Sequence, residues 1–157
     1  MDNREKEFEE YVINIGRVAK VVKGGRRFRF SALVAVGDKK GRVGLGLGKS
    51  KKVPAAIKNA IERAKKEMFS TPITEDGTIP HPIKIKSGAS LVLLKPGKPG
   101  TGIIAGDVAR SILEACGIRN VVAKSIGSNN KHNLSHAIIE ALRKMRSKET
   151  VLKQRGL

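Results

Sequence analysis

The sequence predicts an α+β chain of two small units, each a small sheet backed by helix. Three observations carry that prediction. β-Branched and alternating apolar residues fill positions 11–48, and an apolar 3.6-residue period follows from Pro54. After the proline cluster at 70–82 the strand-then-helix pattern starts again. A chain of 157 residues accommodates two such units, of roughly 70 residues each. The expected bounds are 11–72 and 80–147, with 1–10 and 148–157 as flexible termini.

The first strand is expected over residues 11–22, and Lys23-Gly24-Gly25-Arg26-Arg27 is the turn that ends it, since two glycines supply positive φ freely. The second strand places Phe28, Phe30, Ala32, Val34 and Val36 on one face, and Gly37-Asp38-Lys39-Lys40-Gly41 closes a hairpin. The third strand alternates Val43, Leu45 and Leu47 with Gly44, Gly46 and Gly48, so one of its faces is bare and open to close approach by a helix or a ligand backbone. A helix follows from Pro54, with Ile57, Ala60, Ile61, Ala64 and Met68 toward the sheet. Residues 70–82 carry three prolines and are expected to be the linker between two separate cores. Strands at 83–86 and 89–95, a helix at 104–116 capped by Gly117, a strand at 118–126 and a helix from Asn133 complete the second unit.

The charge narrows the function. Lys and Arg number 32 against 14 acids, a formal net charge of +18, which attracts polyanions. Five of the acids lie in the first ten residues, and between Arg17 and Lys52 twelve basic residues face the single acid Asp38. A solvated surface mixes both signs; this stretch does not. Apolar runs of a few residues fall far short of the ~20 that a membrane span needs. One cysteine, Cys116, excludes an internal disulfide and argues against a thiolate zinc site. A soluble, cytoplasmic, folded protein is expected.

Fragments that imitate enzyme motifs fail on inspection. Gly48-Lys49-Ser50 ends like a phosphate-binding loop, but Val43 stands where that loop needs glycine. Gly100-Thr101-Gly102-Ile103-Ile104-Ala105 fits a dinucleotide fingerprint, yet no acid lies between Glu114 and Glu140 to hold a ribose. His132, His136 and Glu140 share a helical spacing without the zinc-protease pattern and read as surface residues. Cys116 reads as a small buried apolar residue. No catalytic set, metal or cofactor is expected.

Binding is the better reading. Phosphates call for cations, and glycine lets backbone approach a sugar-phosphate chain. The candidate residues are Arg17, Lys20, Lys23, Gly24, Gly25, Arg26, Arg27, Arg29, Lys49, Lys51 and Lys52. With four Phe, one Tyr and no Trp, stacking platforms for single strands are scarce, which favours structured RNA.

Val21-Val22-Lys23-Gly24-Gly25-Arg26, Gly41-Arg42-Val43-Gly44-Leu45-Gly46-Leu47-Gly48-Lys49, Val53-Pro54-Ala55-Ala56-Ile57 and Gly100-Thr101-Gly102-Ile103-Ile104-Ala105-Gly106 resemble, in order, the bacterial small ribosomal subunit protein five family. The resemblance implies an N-terminal three-stranded sheet plus helix similar to the double-stranded-RNA-binding fold. It also implies a C-terminal β-α-β-α domain with a left-handed crossover. A structural, non-enzymatic role in the small subunit follows, with small-subunit rRNA and ribosomal proteins four and eight as partners and the messenger RNA path nearby. Carried over residue by residue, Gly102 and Arg110 are implied at the contact with protein four that bears on decoding accuracy, and Val18, Ala19 and Lys20 in the loop linked to spectinomycin response. Two rival readings are a free-standing double-stranded-RNA-binding protein and a small phosphotransferase using the glycine loop at 100–106.

Overall fold

A computed structural model describes residues 8–128, 130–147, 155 and 156. Its order is β1 (Glu9–Val22), β2 (Gly25–Gly37), β3 (Arg42–Ser50), α1 (Val53–Lys66), β4 (Phe69–Ser70), β5 (Ile83–Ser87), β6 (Ser90–Pro96), β7 (Ile103–Ile104), α2 (Asp107–Cys116), β8 (Val121–Gly127) and α3 (Lys131–Arg143). Two four-stranded sheets result, β1-β2-β3-β4 and β5-β6-β8-β7. The first is antiparallel throughout; in the second only β7 and β8 run parallel, with α2 between them in sequence.

The α+β, two-domain expectation holds, with corrections. The N-terminal sheet has four strands rather than three, because Phe69–Ser70 pairs with Val43 and Arg42 at the edge of β3. Two residues are too few for an alternation to show in sequence. β1 begins at Glu9, since Glu9 and Glu10 pair with Gly37 and Val36; the flexible terminus expected over 1–10 therefore does not extend to them. The rest of that terminus up to residue 7, and 148–154 and 157 of the other, lie outside the described residues. The helix expected over 104–116 starts at Asp107, because Gly106 is extended and Ile103–Ile104 joins the sheet beside Val121 and Val122.

The glycine face of β3 receives α1. A Cβ at Gly44, Gly46 or Gly48 would run into the backbone carbonyls of Ala64, Ala60 and Ala56 respectively. Those three alanines, spaced one helical turn apart, are fully buried against Ala32, Val34 and Val36 of β2. Glycine opposite alanine brings helix and sheet nearly into backbone contact, closer than any larger pair allows.

The expectation of two cores separated at 70–82 is wrong. The other face of the same sheet, with Leu33, Ala35, Val43 and Leu45, shares one core with Val92, Leu94, Ile112, Leu113, Ile138 and Leu142 of the second half. The sheet is thus covered on both faces, by α1 and by the C-terminal domain. Nor is 70–82 an exposed linker. Thr71, Gly77, Thr78 and Ile79 are buried, and the Gly77 carbonyl accepts from Arg119 N at 2.7 Å and Asn120 N at 3.0 Å. Proline rigidity here serves a packed strap.

The hairpin loop of β2 and β3 locks onto the C-terminus of α2. Lys39 N and Gly41 N donate to the carbonyls of Ala115 and Cys116, which no helical turn follows to satisfy. Gly117 ends α2 at φ 99° as expected. Cys116 is fully buried beside this junction, and burial pushes its thiol up to about 12. The thiolate that chemistry would need does not form near neutral pH.

Candidate nucleic-acid interface

β1 and β2 outrun their sheet. β3 stops opposite β2 at the Phe30–Ser50 pair, so residues 17–29 continue as a two-stranded arm with no third strand beside it. Val22 pairs with Gly25 across Lys23 and Gly24, and Gly24 takes φ 108°, a conformation that L side chains rarely adopt. A Cβ at Gly24 or Gly25 would meet nothing within 4 Å, so there is open space beside both glycines where a side chain would project.

Arg17, Lys23 and Arg29 are exposed along this arm. Arg17 stacks its guanidinium on the Phe28 ring at 4.1 Å, which holds the cation in place before any ligand arrives. Lys20, Arg26 and Arg27 belong to the same paired backbone, Lys20 opposite Arg27; their side-chain positions lie outside the described residues. Val18, Ala19 and Lys20, expected in a loop, sit in β1 opposite Arg29, Phe28 and Arg27, and Val18 is 56% exposed.

Lys49, Lys51 and Lys52 are exposed at the root of the arm, where β3 ends and α1 begins. The register places Lys49 opposite Ser31, beside the point where the arm departs. Asn59 Nδ2 donates to the Lys49 carbonyl at 3.3 Å and Arg63 Nη1 to that of Leu47 at 3.2 Å, so α1 fixes this edge. Ion pairs among the described residues are Lys39–Glu9 and Lys144–Glu140, so none of Arg17, Lys23, Arg29, Lys49, Lys51 and Lys52 is neutralised by an acid. The Lys39 contact lowers the pKa of Glu9.

Gly102 and Arg110 come together elsewhere. Gly102 has φ 74° in the stretch before β7, its amide donates to Asn120 Oδ1 at 3.0 Å, and its carbonyl accepts from Val121 N. Arg110, exposed on α2, donates through Nη2 to the Ile103 carbonyl at 3.0 Å, one residue away from Gly102. It lines an open depression with Lys39, Glu114 and Arg119. Asn120 was missed by sequence reasoning. Buried in a polar role, it also donates through Nδ2 to Asp76 O at 2.8 Å, tying the strap to the Gly102 loop.

The enzyme-like fragments have structural uses. Gly48-Lys49-Ser50 is the end of a strand packed on α1 rather than a phosphate-wrapping loop. Glu140 pairs with Lys144, and His132 N donates to the Asn130 side chain that caps α3.

A glycine-tipped arm that carries cations and no acid over residues 17–29, on a two-domain α+β scaffold, is the arrangement of a protein suited to polyanions. Residues 8–72 match the family model described as ribosomal protein S5, N-terminal domain, and residues 85–155 the one described as ribosomal protein S5, C-terminal domain. The chain belongs to the ribosomal protein S5 family, a structural and non-enzymatic family of the small ribosomal subunit that binds rRNA and other ribosomal proteins.

Proposed function

We propose that the β1–β2 arm is the main rRNA contact of the N-terminal domain. The observation that carries this is the row of cations on a strand pair that leaves its sheet, of which the described side chains, Arg17, Lys23 and Arg29, pair with no acid. A two-stranded arm of this length reaches into a structured RNA, with Arg17, Lys20, Lys23, Arg26, Arg27 and Arg29 on phosphates and Gly24-Gly25 against the sugar backbone. Lys49, Lys51 and Lys52 extend the same site at the arm's root. Val18, Ala19 and Lys20 lie in this arm, which suits a role in spectinomycin response. Gly102 and Arg110 form the contact with ribosomal protein four and act on decoding accuracy through it. Protein eight and the nearby messenger RNA complete the surroundings in the cytoplasmic ribosome.

Binding to a small-subunit rRNA fragment across a salt series tests the arm. Each phosphate contact removed lowers the log–log salt slope by about 1. Changing Lys20, Lys23, Arg26 and Arg27 to Ala should therefore lower it by roughly 3 to 4, with the melting temperature little changed. Lys144 and Arg146 to Ala is the control. A parental slope in the arm variant, with the loss in the tail variant instead, overturns the assignment.

A further inference from the structure

Phe28 is the one exposed aromatic ring among the described residues, at 38%. Phe8, Phe30, Phe69 and Tyr11 are each partly buried against a core cluster. The register puts Phe28 on the face of the first sheet that α1 covers, in line with Phe30 and Ala32. It lies two residues beyond the last pair that β3 makes with β2, so no third strand stands beside it. Across from it is Ala19, too small to cover the ring. Diagonal to it is Arg17, whose guanidinium lies on the ring at 4.1 Å from its centre. Arg17 is itself exposed and, among the described residues, makes no ion pair. Lys51 and Lys52 follow Ser50, the partner of Phe30, so two further exposed cations stand at the foot of the pair.

We propose that the Arg17–Phe28 pair is a stacking platform for one unpaired nucleobase, and that the arm prefers RNA with a base outside the helix to a continuous duplex. The inference rests on the arm as the rRNA contact and names what the arm holds there. A base out of its stack offers a flat π face to aromatic rings and guanidinium planes, which a paired base in A-form RNA does not. A guanidinium laid on a ring keeps its N–H edge for a phosphate and turns its outer plane to a base, so one nucleotide engages both. A carboxylate would pair with that edge only and leave the ring in water. An aliphatic side chain would cover the ring and leave Arg17 without an acceptor. The combination of plane and charge, rather than the charge, selects a nucleotide. One exposed ring suits one base in an otherwise paired RNA; a run of single strand takes several such platforms.

Equilibrium binding of the full chain to three RNAs tests it. The first is a perfect duplex of about 16 base pairs. The second carries one unpaired adenosine, and the third an abasic nucleotide at the unpaired position, which keeps the backbone distortion and removes the base. The adenosine bulge should bind about fivefold tighter than the abasic one, the lower end for one stacked base. Phe28→Leu should abolish that difference, with the salt slope and the melting temperature parental. Arg17→Lys should abolish most of it at an unchanged slope, since an ammonium carries the charge without the plane. Equal binding of the two bulged RNAs by the parent overturns the proposal and leaves the arm standing. So does a difference that survives Phe28→Leu. If Lys20, Lys23, Arg26 and Arg27 to Ala binds the perfect duplex as the parent does, the arm itself fails, and the platform with it.

Discussion

The amide of Gly102 donates to the side-chain oxygen of Asn120 at 3.0 Å, and the nitrogen of the same side chain donates to Asp76. One buried amide thus spans two loops more than twenty residues apart in sequence. Asn120→Ala leaves the Gly102 amide without its partner, which costs about 1–3 kcal/mol. Urea unfolding should show that loss, and Asn120→Asp, which keeps the acceptor but removes the donor, should fall between the variant and the parent.

Gly46 and Gly24 are both required to be glycine, for different reasons. Gly46→Ala drives a methyl into the Ala60 carbonyl and must lift α1, at about 1–3 kcal/mol or more. Gly24→Ala meets open space and bears only the left-handed backbone strain, about 1–2 kcal/mol. Melting curves should rank Gly46→Ala as the more harmful, while rRNA affinity should fall more for Gly24→Ala per unit of stability lost.

Arg17 and Phe28 separate charge from positioning. Arg17→Ala should lower the salt slope of rRNA binding by about 1. Phe28→Leu keeps the charge and loses the stack, worth about 0.5–1 kcal/mol, so affinity should drop roughly two- to fivefold at an unchanged slope.

Much of this was legible in sequence. The three alternating glycines marked a face open to close approach by a helix or a ligand backbone, and α1 fills it; the acid-poor stretch from Arg17 is the basis of the proposed polyanion surface. Other features depend on register, which sequence does not display. The Arg17–Phe28 stack exists because Ala19, two residues on, pairs with Phe28. The shared core left a trace that went unread. Ala32-Leu33-Val34-Ala35-Val36 is an unbroken apolar run, the mark of a strand buried on both faces. Prolines at 72, 80 and 82 suggested exposure, and only partners some forty residues onward in sequence, such as Arg119 and Asn120, reverse that reading.

The strap offers a direct check. Thermolysin, which cleaves before large apolar residues, should spare Ile79 in the native protein, because that side chain is 1% exposed and its neighbours are hydrogen-bonded. Early cleavage there would show that the two domains part readily.

Cys116 gives a stability probe with a defined sign. Its neutral thiol is favoured in the fold up to about 12, while an unfolded thiol ionises near 9. The contribution is complete below pH 9 and declines by about 1.4 kcal/mol per pH unit as pH rises from there toward 12. Relative to Cys116→Ala, the parent should lose stability over that window, and alkylation at pH 8 should follow global unfolding.

Covering the first sheet from both sides has a consequence for the order in which the chain matures. α1 can settle on its face as soon as residue 66 emerges, but Leu33, Ala35, Val43 and Leu45 await α2 and α3. At ~5–20 residues per second, that second face stays wet for several seconds of synthesis. During this interval the half-built protein carries an adhesive apolar plane, which stays exposed to aggregation until the last helix arrives.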